Sequence, residues 1–346
     1  MVLCRWSILG WVILPTVLAS CVVEERAKGR QSESRAICRD TSPVKKNTGG
    51  KEILGPGLGK FIYIVGGKFT MGRNKGQDSD ERPEHVVELA SFFIGKTPVT
   101  NAQLVRFLNE TKIKRDEYLY HHYLALPPVK RSINFKDGEW ICKESNERDA
   151  CGFVSWRLAD LYCRWLSGKT GRGCRLPTEA EWEYVCRGSE GRRFPWGNST
   201  TGLQRKVWQW RTWSMKSSHS VAVGSFPEGA TPEGVCDLVG YMDEFCSDWY
   251  DPNYYANSPR MNPKGPKNPV EENAKVTRGG LTHDYNGFLH SSQFFAIKPR
   301  GYLPRGWSRG KSLKQTTNLS SSAHDYGRLG FRVVVSKKRK RKDGKK

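Results

Sequence analysis

The chain has 346 residues, of which 57 are Lys or Arg and 35 are Asp or Glu, for a formal charge of +22. Hydrophobic residues make up 37 %, with 12 Trp, 13 Tyr and 14 Phe, which is too much apolar and aromatic material for a disordered chain. The 35 Gly follow no fixed period and no heptad persists, so collagen-like and coiled-coil chains are excluded as well.

At the N-terminus Arg5 is the only early charge, and Trp6 to Ala19 form an apolar run of 14 residues containing Pro15. A bilayer crossing needs about 20 apolar residues, so the run suits the hydrophobic part of a secretion signal, residues 1–20. It closes on Leu18-Ala19-Ser20-Cys21, which resembles the bacterial lipobox. That resemblance implies lipidation of Cys21, anchoring in a membrane and, with Val22 in place of aspartate, sorting to the bacterial outer membrane. Residues 21–60 are polar and without period, and read as a flexible tether.

Eight further cysteines remain at 38, 142, 151, 163, 174, 186, 236 and 246. An even count in an exported chain permits disulfides, and spacing alone assigns none. Cys142 with Cys151 and Cys236 with Cys246 are the pairs nearest in sequence. No CxxC occurs, which speaks against zinc.

Strand-like runs are Phe61 to Val65, His85 to Leu89 and Phe331 to Val335. Three helices are predicted. Thr100 and Gln103 form a capping box ahead of Leu104, Phe107 and Leu108. Ser155 caps a segment carrying Leu158, Leu161, Tyr162, Trp165 and Leu166 that ends at Gly168. Thr178 and Glu181 box a third, with Trp182 and Val185, that stops at Gly188. From Arg187 to Lys275, Gly, Pro, Asn and Ser are frequent and periods are short. The body, residues 61–335, is therefore expected to be one α+β domain with much irregular chain. Residues 336–346 form a polybasic tail: Lys337 to Lys346 holds eight cations and one acid, leaving +15 for the rest. The tail suits either solvation or contact with anionic headgroups or phosphates, and the basic body favours acidic partners.

The order of motifs in the body carries a resemblance. Phe61-Ile-Tyr-Ile-Val-Gly-Gly-Lys-Phe-Thr-Met-Gly72 is followed by Pro98-Val99-Thr100-Asn101, then by Arg175-Leu-Pro-Thr-Glu-Ala-Glu-Trp-Glu-Tyr184 and Phe194-Pro-Trp-Gly-Asn198. Val223-Gly-Ser-Phe-Pro227, Cys246-Ser-Asp-Trp-Tyr250, Arg278-Gly-Gly280 and Gly330-Phe-Arg-Val333 come next. Together they resemble the formylglycine-generating enzyme (sulfatase-modifying factor) superfamily, which implies its irregular C-type-lectin-like α+β fold. The family enzyme oxidises a substrate cysteine with oxygen and copper, and its two copper-binding cysteines follow the Arg-Gly-Gly motif. Soft thiolates suit Cu(I) and are hard to replace. Here no cysteine follows Cys246, so copper and formylglycine generation are not expected. His283, Asp284, His290, His324 and Asp325 could serve an iron site of the facial-triad type, as sulfoxide-forming relatives use iron. The alternative is scattered surface histidine, since those relatives draw their ligands from an extra domain.

The resemblance also carries a calcium site onto this chain, with side chains of Asp237 and Glu244 and carbonyls of Gly240 and Met242. Hard oxygens of both kinds are what Ca²⁺ takes, although two carboxylates alone also suit a turn of solvated acids. The family's second calcium site falls on Lys206 and reads as lost. With the segment Gln209 to Ser220, the stretch Leu281 to Ala323 departs most from the family. In it Arg300, Tyr302, Arg305, Trp307 and Arg309 interleave cations with aromatics, the composition of a recognition surface; export makes nucleic acid a poor partner for it. Two function classes follow. One is a non-catalytic, lipid-anchored envelope module, resembling the sulfatase-modifying-factor-like lipoproteins of gliding and type IX secretion machinery. Its expected partner is an envelope protein, an acidic glycan or a lipid headgroup. The other is a metal-dependent oxidase of a thiol or peptide.

Overall fold

The computed structural model describes residues 53–55, 57–74, 81–113, 132–152, 154–207, 221–270, 274–279, 294–297 and 329–336, all within one unit, Val44–Lys346. Its first layer is a four-stranded sheet in the order β1 (Phe61–Ile64), β4 (Phe92–Gly95), β12 (Val334–Ser336), β7 (Cys174–Arg175), antiparallel throughout. Among the described residues, the last strand thus sits inside the sheet that the first strand borders. A second sheet is ordered β10 (Phe294–Ile297), β9 (Lys275–Gly279), β8 (Asp243–Trp249), β11 (Leu329–Gly330). Two hairpins, β2 (Lys68–Met71) with β3 (His85–Glu88) and β5 (Ile133–Lys136) with β6 (Glu139–Cys142), complete the strands.

The predicted helices form where their caps stand. Helix α1 (Asn101–Glu110) starts after Thr100, and both halves of its capping box with Gln103 are made. In α2 (Trp156–Thr170) the Ser155 hydroxyl accepts from Leu158 N. This helix runs past Gly168 and stops at Gly171, whose φ of 63° suits a left-handed cap. Helix α3 (Glu179–Arg187) ends at Gly188. Two single-turn helices follow, α4 (Leu203–Lys206) and α5 (Tyr254–Asn257). Among the described residues no helix is long and apolar enough to cross a membrane.

The first sheet divides the core. Strand β1 sends Phe61 to one face, against α1 and α2, where Leu104, Phe107, Tyr162, Leu166 and Phe331 pack. Ile62 and Ile64 join a second cluster that contains Phe92, Ile94, Trp182 and Val185. Leu54 and Leu58, at 8 % and 6 % exposed, belong to the first cluster. The packed domain therefore begins before residue 61, and the end of the expected 21–60 tether is core. The expected strand at Phe331–Val335 forms only from Val334 onward. Leu329–Gly330 pairs with β8 in one sheet and Val334–Ser336 with β4 and β7 in the other, so Phe331 to Val333 carry the chain between layers.

Candidate functional site

The site is built from α3 outward. Thr178 Oγ1 accepts from Glu181 N at 3.2 Å, and Glu181 Oε2 accepts from Thr178 N at 2.9 Å. The same carboxylate takes both guanidinium nitrogens of Arg175 at 2.6 Å. Glu179 and Glu183 lie one turn apart and so share a face, and between them Arg278 of β9 is held. Its Nη2 is 2.5 Å from Glu183 Oε2 and 3.0 Å from both Glu179 Oε1 and the Tyr255 hydroxyl. Glu183 Oε1 also accepts from Gly72 N at 2.9 Å and from Arg187 at 2.6 Å. Nearby, Glu81 pairs with Arg73 at 2.8 Å. Burial pushes the Glu179 and Glu81 carboxyls up to about 7, against the pull of Arg278 on Glu179 and of Arg73 on Glu81. The Arg-Gly-Gly motif is thus fixed to α3 by ion pairs closed to solvent: Arg278 and Glu183 are both 0 % exposed.

Of the residues carried over for calcium, Glu244 and Asp237 both meet Arg332. The Trp182 indole donates to Glu244 Oε2 at 3.0 Å, and Arg332 clamps both oxygens of that carboxylate at 2.5 and 2.6 Å. The guanidinium also donates to the Gly95 and Cys236 carbonyls at 3.1 Å and the Asp237 carbonyl at 3.5 Å. Asp237 stands at φ 59° and its Oδ2 accepts from Gly224 N at 2.6 Å; burial raises this carboxyl to about 6. Gly240 packs on Val207. Gly279, at φ 98°, lies so close to the Met242 and Leu238 carbonyls that a Cβ there would be 2.8 Å from each. Calcium wants six to eight free oxygens. With the Glu244 carboxylate already neutralised by an internal cation, this donor set does not fit the ion. It fits a buried ion pair that joins the closing Gly-Phe-Arg-Val strand to β8.

Other features had no reading in the sequence. Lys275 is 3 % exposed, its Nζ 4.1 Å from the Trp156 ring centre and 3.7 Å from that of Trp249, and it donates to the Ser247 carbonyl at 2.7 Å. Burial lowers this ammonium to about 8. The signal available was the two tryptophans flanking the Arg-Gly-Gly strand in space, which no local spacing reveals. All seven described cysteines are free thiols, including Cys142, Cys151, Cys236 and Cys246, and burial raises the thiols of Cys151, Cys163, Cys186 and Cys246. They pack as small hydrophobes. No group of three His, Cys, Asp or Glu that could hold a metal occurs among the described residues. Cys21, the histidine–aspartate set at 283–325, and Arg300, Tyr302, Arg305, Trp307 and Arg309 lie outside them.

Comparison with known proteins places this geometry. Residues 56–337 match the Sulfatase-modifying factor enzyme 1-like domain. A formylglycine-generating enzyme of Streptomyces coelicolor is 34 % identical over 257 residues, covering 64 % of this chain and 79 % of that one. A serine/threonine-protein kinase, pkn1 of Chlamydia caviae, is 33 % identical over 222 residues, 64 % of this chain, which spans about a third of that kinase (32 %). Among solved structures, PvdO from Pseudomonas aeruginosa superposes with a TM-score of 0.55 at 23 % identity, over 80 % of this chain and 94 % of that one. That likeness concerns the fold.

Proposed function

The chain belongs to the sulfatase-modifying factor enzyme 1-like domain family, and from that premise we propose that it is a lipid-anchored envelope protein that uses the family domain as a non-catalytic interaction module. The observation that carries this reading is the chemistry of the segment after Arg278-Gly-Gly280, which contains no cysteine, as does the whole chain after Cys246. Copper held by two thiolates has no substitute there in soft ligands. The buried ion pairs around α3 are consistent with a scaffold role, since they tie the Arg-Gly-Gly strand to the helix. What the scaffold presents is the 281–323 segment, with Arg300, Tyr302, Arg305, Trp307 and Arg309 as the contact set for an envelope protein, an acidic glycan or a headgroup. Cys21 supplies the anchor, and the outer membrane is its proposed location.

Native mass spectrometry of the protein extracted gently from its own membrane tests this. The expected spectrum has lipid on Cys21, a partner in fixed ratio and no transition metal. A lone chain that retains copper or iron would overturn the reading and turn attention to oxidase chemistry at His283, His290 and Asp284.

A further inference from the structure

Away from the site, a groove of about 420 Å³ lies between the end of β1 and the C-terminus of α3. Tyr63, Val65 and Gly67 form one wall; Tyr184, Glu190 and Glu233 line the other. The Tyr184 hydroxyl donates across it to the Val65 carbonyl at 3.1 Å. Tyr63 and Val65 are exposed, at 39 % and 68 %. The groove is acidic on a protein that is otherwise strongly basic. Glu190 pairs with Arg192 at 2.6 Å, and Glu233 Oε2 comes only to 3.8 Å of the same guanidinium. That Glu233 oxygen is buried and has no hydrogen-bond donor, so two carboxylates share one cation.

The sheet register says what reaches this groove. Ile64 of β1 pairs with Phe92 of β4, and Phe92 pairs with Ser336 of β12. Both β1 and β12 are antiparallel to β4, so they run the same way and end on one row. Ser336 is therefore two strand spacings, about 10 Å, from Ile64. The chain continues from it as Lys337-Lys-Arg-Lys-Arg-Lys-Asp-Gly-Lys-Lys346, long enough to span about 33 Å when extended. We infer that this polybasic tail docks in the β1–α3 groove of its own chain, placing a cationic side chain against Glu233. Length, direction and charge agree: Ser336 ends β12 on the row of Ile64, which lines the groove, and the residues after it carry donors for the Glu233 oxygen that has no hydrogen bond.

Carbodiimide coupling of dilute full-length protein, followed by peptide mapping, tests the contact directly. The expected product is an amide between a lysine of 337–346 and Glu233 or Glu190 within a single chain. Trypsin provides the second readout, since cleavage follows the undocked population. Glu233→Lys, and more mildly Glu233→Gln, should speed removal of the tail, by about tenfold for the reversal, with the thermal midpoint of the body unchanged. Couplings scattered over other acids, couplings that join two chains, or a tail cut equally fast in wild type and variants would each overturn the proposal. So would protection that arises only on adding phosphatidylglycerol vesicles, which would assign the tail to the membrane surface.

Discussion

At Glu244 both carboxylate oxygens face Arg332, and both side chains are 0 % exposed. Glu244→Gln would leave a buried guanidinium without its counter-charge, a loss of about 3–5 kcal/mol. In a domain of this size that is a fall of roughly 10 °C in the thermal midpoint, readable by calorimetry. The same pair bears on calcium: a cation already in place removes the need for a second one. EDTA should therefore shift the midpoint by no more than about 2 °C, where a ligand bound at a hundred times its Kd would add about 2.7 kcal/mol. A rise of several degrees on adding Ca²⁺ would restore the calcium expectation. At Glu81 and Glu179 burial outweighs the paired arginine, so these carboxyls act in the opposite sense to an acid whose pKa is lowered. Folding raises them from their ordinary range to about 7, so the folded state binds more protons than the unfolded one between about pH 4.5 and 7. Their contribution is full below that window and is lost as pH rises through it. Unfolding midpoints should thus fall from pH 5 to pH 8, and Glu179→Gln should flatten the fall. An unchanged slope in that variant would assign the dependence elsewhere.

Elements differ in how far a local signal could announce them. Helix α3 was legible because its cap is local: Thr178 and Glu181 are three residues apart, and each satisfies the other's backbone amide. Thr178→Val keeps the shape and removes the acceptor, so it should cost about 1 kcal/mol, while Thr178→Ser should be nearly neutral; equal denaturation midpoints for the two would refute the cap's role. Strand β8 was not legible, since Asp243-Glu-Phe-Cys-Ser-Asp-Trp249 has acids at positions a strand normally gives to apolar residues. Those acids are stabilised by groups far away in sequence, Arg332 for Glu244 and the Glu179 amide for Asp248, and a window of ten residues contains neither. The same cause hid the break between β11 and β12. The run Phe331 to Val335 reads as one strand, but Arg332 must turn inward to reach Glu244, and the chain changes sheets there. The candidate site divides likewise. The motif named Asp237 and Glu244, whereas the guanidinium of Arg332 between them comes from a distant strand that no local pattern announces.

For the molecule as a whole, the charge of +22 is not spread evenly between inside and outside. Arg278 and Arg332, both 0 % exposed, are each matched by carboxylates, while Lys337 to Lys346 alone hold +7 of the surplus. Strand β9 is held by β8 on one side and β10 on the other, and through Arg278 by α3. If the proposed contact set faces a partner, Arg300→Glu, Arg305→Glu and Arg309→Glu together should leave the thermal midpoint within about 1 °C of wild type. The triple variant should lose retention on an immobilised acidic polysaccharide, and retention of the wild type should weaken steeply between low and physiological salt because exposed charges are screened there. The comparison belongs in a chain ending at Ser336, so that the tail's +7 does not mask the loop. Retention that survives the reversal in that shortened chain would mean that the 281–323 segment is not the contact surface, and that the body's remaining cations hold the acidic partner without it.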